Sequence, residues 1–255
     1  MKKKCSTFIL MSFLAVVGCK KNNEGVPSTA TGSVNVSFEN CAGDSTLQLS
    51  SSTTDFLYAN AAGQAFNVST YKYYISNIKL LKGDEVVYAE PESYHLIDQS
   101  DKTSWQFTLG SVPAGEYDKI NLLIGVDSTR NTSGAQTGAL DVLYGMFWDW
   151  NSGYIMAKLE GSTSAVTSKR ISFHTGGYSG EYSVLQDVTL TLPSNLTIGD
   201  STTSSLAIKS DVLKWFEGTN TIDFTEMSQV TAGGLKAFII SQNYASMLSV
   251  KSVSN

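Results

Sequence analysis

The sequence predicts an all-β protein, an antiparallel β-sandwich with long ordered loops and little helix. Only 16% of the residues are charged, and Ser, Thr, Gly, Tyr and Phe are abundant, which is typical of many short strands joined by turns. The segment SVNVSF, residues 33–38, alternates polar and apolar side chains with period two, as a half-buried strand does. Helical periodicity is scarce, with a single helical turn predicted at residues 212–216.

The first half of the chain contains the clearest strands. Residues 66–81, FNVSTYKYYISNIKLL, are rich in β-branched and aromatic side chains and predict either two strands or one long strand with a bulge. Gly83 and Asp84 then form a turn into EVVYAE, which completes a hairpin. Residues 93–98 and 105–109 predict two further strands.

The second half begins with the turn Pro113-Ala114-Gly115. Residues 117–126, YDKINLLIGV, are nearly continuously apolar and therefore predict a central strand. A further strand is predicted at residues 154–159. The segments RISFH, SVLQDVTLTL, SLAIKSDV and GLKAFII supply the remaining predicted strands.

The start of the chain predicts an exported lipoprotein. Three lysines are followed by an apolar stretch at residues 8–17 that is too short to span a bilayer. Small residues precede Cys19 in VVGC, which resembles a bacterial lipobox and predicts a signal peptide over residues 1–18 with acylation of Cys19. An ordinary signal peptide cleaved elsewhere is the alternative.

The mature chain would then be held at a membrane by its lipid. Residues 19–32 are small and polar, which predicts a lipid-anchored flexible tether, and residues 33–255 form a single β-domain. Lys20 follows Cys19 where an acidic residue would signal inner-membrane retention. We therefore expect a location in the cell envelope, as an outer-membrane lipoprotein.

Composition and missing motifs exclude several classes of function. The formal net charge is −5, with no basic cluster outside the signal, so the sequence predicts no nucleic-acid partner. Cys41 is the only mature cysteine apart from the lipidated one and predicts a small buried side chain rather than a disulfide. Hydrolase, metalloprotease, phosphate-loop and C-x-x-C motifs are absent from the sequence, and we expect a protein that is not an enzyme.

A polar stretch at residues 125–145 follows the predicted central strand. Its Asp127, Asn131 and Asp141 offer the oxygen ligands that calcium prefers. The spacing is not that of an EF-hand, and the alternative is that the two aspartates cap turns while Arg130 forms an ion pair. Calcium is thus one candidate cofactor.

The most informative run is GMFWDWNSGYIMAKLEG, residues 145–161. It places Trp148 and Trp150 one residue apart, and the segment ISFHTGGY at residues 171–178 then contributes His174, one of only two histidines. Indole rings bury large apolar areas only inside a formed core or pocket. The run is therefore either the centre of the core or a binding pocket.

These segments together resemble the MbnP-like copper-binding proteins. GVDSTRN, GALDVLYGMFWDWNSGYIMAKLEG and ISFHTGG occur in this order, and FNVSTYKYYISNIKLL and SYHLID fit upstream. The resemblance implies a secreted or surface protein with a β-rich fold that binds copper. It also implies a site of histidine imidazoles with an oxidised tryptophan, which a partner di-haem peroxidase produces.

Carried onto this sequence, the resemblance selects a small set of metal-site residues. The matching positions are His174 and the tryptophans of WDW, and His95 is the only second imidazole. Met146 adds a soft donor that suits the reduced ion. For His95 the alternative is a partly exposed strand histidine, and for His174 a buried histidine bonded to the tryptophan-rich loop.

A second function is consistent with the same residues. Trp148, Trp150 and Tyr154 could form an aromatic pocket through which a metal-free surface lipoprotein binds a glycan or another protein. Of the two tryptophans, we expect Trp150 to be the more buried, since it leads into the next strand. Trp148 would then lie nearer His174 and the site.

Overall fold

Two β-sheets packed face to face make up the fold in the computed structural model, which describes residues 30–134, 136–149 and 153–255. The predicted all-β sandwich is confirmed. None of the helices in these ranges is long and apolar enough to cross a membrane.

The strands fall into a five-stranded and a ten-stranded sheet. In chain order they are β1 (Thr31–Ala42), β2 (Ser45–Thr46), β3 (Tyr58–Ala59), β4 (Ala65–Lys82), β5 (Glu85–Ala89), β6 (Tyr94–Asp98), β7 (Gln106–Pro113), β8 (Gly115–Ile124), β9 (Phe147–Asp149), β10 (Gly153–Thr163), β11 (Arg170–Gly176), β12 (Gln186–Ile198), β13 (Thr203–Asp211), β14 (Gln229–Val230) and β15 (Leu248–Ser254). The helices are α1 (Ser128–Asn131) and α2 (Leu235–Tyr244), with short 3-10 turns at Lys102–Trp105, Gly138–Leu140, Val142–Tyr144 and Val212–Trp215.

The smaller sheet has the order β15-β13-β1-β2, with β7 also paired to β1. The larger has the order β12-β8-β4-β10-β11-β14, and β3, β5 and β6 pair with β4 while β9 pairs with β10. The sandwich is not wholly antiparallel, because β1 and β13 run parallel from Ser33↔Thr203 to Cys41↔Asp211. These two strands lie far apart in the sequence, so no short turn dictates their direction.

Strand β4 organises the larger sheet. It is one strand with a register break between Ser76 and Lys79, where Asn77 has a positive φ of 53°, so the interpretation of one long bulged strand is the correct one. One of its edges pairs with β10 and β8, and the other with β6 and β5. The register that β4 imposes fixes the side chains of the candidate site.

Two tyrosines of β4 join the sheets through the core. Tyr71 and Tyr73 are fully buried. The Tyr71 hydroxyl lies 2.9 Å from Ser210 Oγ on β13, and the Tyr73 hydroxyl donates to Asn40 Oδ1 on β1 at 2.8 Å. The face of the larger sheet that holds these rings is therefore the inner face.

One predicted strand is wrong. The segment GLKAFII leads into helix α2, which begins at Leu235. Ala237, Ile240, Ser241 and Tyr244 are buried, a spacing of three, one and three that places them on one side of a helix. The period becomes visible only when the polar residues after the apolar run are included. The predicted helical turn near residue 212 is confirmed by the 3-10 turn Val212–Trp215.

Candidate functional site

A row of four polar side chains crosses the outer face of the larger sheet. The strand registers place Asp98, Lys72, Lys158 and His174 side by side on β6, β4, β10 and β11. Residues directly opposite one another in paired strands point to the same face. Lys72 alternates with the inward-facing Tyr71 and Tyr73, so this row faces outward, away from the second sheet. Within it, Lys72 Nζ lies 2.8 Å from Asp98 Oδ2.

The tryptophan-rich segment crosses this row strand by strand. Lys72 Nζ donates to the carbonyl of Tyr144 at 3.5 Å, and Lys158 Nζ donates to that of Gly145 at 3.0 Å. Further along, the six-membered ring of Trp148 lies so close to Gly176 of β11 that a Cβ there would overlap it. Two lysines and one glycine thus hold the segment on the sheet.

The far end of the row is a His–Glu pair. His174 Nε2 lies 2.7 Å from Glu160 Oε1 on the neighbouring strand β10 and 3.3 Å from Ser172 Oγ. Thr70 Oγ1 donates to the other oxygen of Glu160 at 3.2 Å. Among the described residues, the Nδ1 atom of His174 has no hydrogen-bond partner.

Electrostatics fix the protonation of this pair. Burial lowers the pKa of His174 from 6.5, as do the charges of Lys158 and Arg170, although Glu160 opposes them. Burial acts to raise the pKa of Glu160, but the hydrogen bond from His174 and the charge of Lys158 outweigh it and hold that pKa below 4.5. At neutral pH a neutral imidazole therefore donates its Nε2–H to an ionised carboxylate, which can only accept.

The second histidine has a similar partner in a different place. His95 Nε2 lies 2.9 Å from Glu90 Oε2. The ring of His95 stacks on Phe107 of β7, with 3.5 Å between the centroids and 8° between the planes. His95 precedes the outward-facing Asp98 by three residues, so it points to the inner side of the sheet. It joins the two sheets at the edge formed by β6.

The structure does not bring the two histidines together. Strands β4 and β10 lie between β6 and β11, which separates the two imidazoles by three strand spacings, about 14 Å in all. They also lie on opposite faces, so a single copper site with both imidazoles is not formed. In the described part of the chain, no group of three or more His, Cys, Asp or Glu side chains could hold a metal ion.

The remaining residues of the predicted aromatic and metal sites differ in how deeply their side chains are buried. Trp148 is partly buried, whereas Met146 and Tyr154 are enclosed in the core. The hydroxyl of Tyr154 donates to Leu140 O at 2.8 Å, and its ring packs edge-on against Tyr74. Tyr154 is a core residue and presents no ring to a ligand. Trp150 lies outside the described residues, as does the predicted lipidation residue Cys19.

The three candidate calcium ligands serve local turns. Asp127 caps α1 by accepting from Arg130 N at 3.2 Å, and it also accepts from Tyr94 Oη at 2.6 Å. Asn131 donates to Val126 O and accepts from Tyr154 N. Asp141 accepts from the backbone N–H of Leu143, 2.9 Å away. These are the contacts expected of caps.

Sequence reasoning missed Glu160, Lys158 and Gly176. The first two are separated by one residue within the tryptophan-rich run, so a strand there puts them on one face. The alternation was visible, but their contact with His174 depends on the pairing of β10 with β11. Gly176 belongs to the FHTGG segment, and its lack of a side chain is what admits Trp148.

Comparison with known proteins identifies the family. The model of the MbnP family matches residues 31–232. The solved structure of MbnP from Methylosinus trichosporium is 14% identical, with 80% of this chain and 82% of that chain covered and a TM-score of 0.50, which shows a shared fold. No curated protein matches significantly. Because the family model covers most of the sequence, the chain belongs to the MbnP family.

Proposed function

We propose that this protein binds copper on the outer face of the larger sheet, through His174 and the segment that contains Trp148. The observation that carries the proposal is the contact of Trp148 with Gly176. Gly176 is two residues from His174 on the same strand, so the indole that lies over Gly176 and the side chain of His174 are on the same face of the sheet. A histidine and a tryptophan are the residue types that the MbnP resemblance implies for copper.

The donor set of this face fits a copper ion bound through one imidazole. A histidine that ligates a metal commonly donates its other ring N–H to a carboxylate, which fixes the ring. His174 has this arrangement with Glu160, and its Nδ1 has no hydrogen-bond partner in the described part of the chain. Imidazole nitrogen suits copper, and the low pKa of His174 keeps the ring neutral near pH 7. Bound copper would supply a redox-active centre for storage or transfer.

The proposal uses one histidine, in contrast to the two-imidazole site suggested by sequence. His95 lies on the other face, and its ring is covered by Phe107. The thioether of Met146 is enclosed in the core. A further donor would come from Trp148 after oxidation, as the family resemblance implies.

The proposal extends to the place of the protein in the cell. We infer a binding protein rather than an enzyme, anchored to the outer membrane by acylation at Cys19, with a di-haem peroxidase as the partner that oxidises Trp148. An intact mass of protein isolated from its host, together with its metal content, tests these points. It reports acylation, tryptophan oxidation and copper occupancy in one sample.

Copper titration of the apo-protein tests the site itself. Loss of a partner that orients a metal ligand costs about 10- to 100-fold in affinity, so we expect His174→Ala, which removes the ligating imidazole itself, to weaken binding by at least that much. His95→Ala is the matched control, because it removes the other His–Glu pair, and it should leave the affinity unchanged. Circular dichroism serves as the check that both variants fold. Equal loss in the two variants, or loss in neither, contradicts the proposal.

A further inference from the structure

Two clefts join into a groove along the edge of the sandwich, away from His174. The first, of about 370 Å³, reaches from Tyr144 past Asp98 to Phe107. The second, of about 390 Å³, continues from Phe107 to Asn35 on β1. Thr103, Gln106 and Phe107 line both clefts, so the groove is continuous. Each cleft has the volume of a small-molecule site.

One aromatic ring in this groove is free to stack. Two other rings that line the first cleft already have partners. His95 stacks on the ring of Phe107, and the guanidinium of Arg130 lies over the ring of Tyr94, 5.2 Å from its centroid. Tyr144 is 48% exposed, and within the described chain its hydroxyl has no hydrogen-bond partner. Its carbonyl is held by Lys72, which fixes the backbone beneath the ring. A single held ring is a stacking platform rather than a cage for a cation.

Polar groups with unused hydrogen-bonding capacity continue beyond the ring. The side-chain amide of Gln106 is exposed and has no hydrogen bond to any described residue. Asn35 accepts from Thr108 through Oδ1, which leaves its NH₂ group to donate. The groove therefore offers donors and acceptors along its length, at positions that follow strands β7 and β1.

The charges in the groove disfavour an anionic ligand. Asp98 is neutralised by Lys72 at 2.8 Å, and Asp101 accepts from Thr103 N at 2.9 Å as the cap of a 3-10 turn. Neither cleft has a lysine or arginine among its lining residues, so there is no counter-charge for a phosphate or carboxylate. A ligand that fits this lining carries no negative charge, is elongated and is rich in hydroxyl groups.

We propose that this groove binds a linear, neutral oligosaccharide, with one sugar ring stacked on Tyr144 and later units hydrogen-bonded to Gln106 and Asn35. A sugar combines an apolar ring face with hydroxyls that both donate and accept. The site is independent of His174, which lies on another strand of the sheet. It shares with the copper proposal the loop that contains Tyr144 and the Lys72–Asp98 end of the polar row.

Isothermal titration of the purified protein with neutral oligosaccharides tests the groove. The probes are gluco-, xylo- and chito-oligosaccharides of about two to six units, a range that spans both clefts. We expect at least one series to bind, with affinity rising with chain length. Tyr144→Ala should weaken binding about tenfold, because the stacking area is lost, and Gln106→Ala should weaken the longer chains more than the shorter ones.

Leu143→Ala is the matched control. Leu143 precedes Tyr144 and is 89% exposed, but it does not line either cleft. Its substitution should leave affinity unchanged. The proposal is overturned if no series binds, if Tyr144→Ala binds as tightly as wild type, or if Leu143→Ala is equally weakened. Binding of tetramethylammonium without any sugar would overturn it in favour of a cation site. Copper titration of Tyr144→Ala tests the His174 site separately, so a loss of sugar binding is not confused with a failure of the copper site.

Discussion

The two histidines of this protein each pair with a glutamate but lie on opposite faces of the larger sheet. Both rings place Nε2 within 3 Å of a glutamate oxygen, Glu160 for His174 and Glu90 for His95. His174 lies on the outer face of the larger sheet, opposite Lys158, whereas His95 lies on the inner side and stacks on Phe107 of the opposite sheet. The difference shows that a His–carboxylate pair is not sufficient to define a site.

The two His–Glu pairs differ in how the rest of the protein contacts the imidazole ring. Stacking at 3.5 Å with nearly parallel planes uses one face of His95 for packing. For His174, burial and then the charges of Lys158 and Arg170 lower the pKa of the ring. We therefore assign a structural role to the His95 pair, and the following predictions test this contrast.

The largest effect is expected at the His95 pair. Phe107→Ala removes the stack with His95 and the contact with Phe38, whose ring centroid is 6.0 Å away. Because Phe107 joins the two sheets, we expect a loss of about 3 kcal/mol in the free energy of unfolding. Urea denaturation measures it, with Trp148→Ala as the comparison. That variant should lose roughly 1 kcal/mol, since Trp148 covers only the outer face; the reverse order would contradict the assignment.

A smaller effect is expected where Trp148 meets the sheet. A Cβ in Gly176→Ala would overlap the indole ring, so the ring must move away. We expect a loss of about 1–2 kcal/mol and a red shift of tryptophan emission as the ring becomes more exposed. Gly110→Ala is the control, because Gly110 is also in a strand but has nothing within 4 Å of the new Cβ.

A double-mutant cycle sharpens this test. In a Trp148→Ala background, Gly176→Ala has no indole to displace and should cost much less than in the wild type. If the cost is the same in both backgrounds, the close contact between Trp148 and Gly176 is not what the alanine disrupts.

The smallest effect concerns pH. The pKa of His174 in the folded protein is below 6.5, chiefly because of burial and then because of Lys158. The unfolded chain therefore takes up a proton first as the pH falls. The contribution of His174 to stability is fully present above pH 6.5 and is lost between that value and the folded pKa.

Imidazole NMR of the apo-protein measures this titration. We expect a midpoint below 6.5 for His174 and a higher midpoint in Lys158→Met, which removes a neighbouring positive charge. His174→Gln should abolish this part of the pH dependence of unfolding. A midpoint that is unchanged by Lys158→Met would show that the lysine does not act on the ring.

The sequence by itself determined the strands, because alternation and β-branched composition are local signals. It predicted β4, its hairpin with β5 and the central β8. It failed at residues 235–244, where the apolar run GLKAFII hides a helical period. It also identified the segments that contain Trp148 and His174, since several aromatic rings in one run need a core or a pocket in which to be buried.

Only the tertiary structure decided which of these residues meet. Whether His95 shares a face with His174 depends on strand order and on the parity of each register, and a shift of one residue would reverse it. The contact of Glu160 with His174 and that of Trp148 with Gly176 each join positions at least 14 residues apart. Such contacts arise from the pairing of β10 with β11 and from the path of the loop across the sheet, which no local pattern in the sequence specifies.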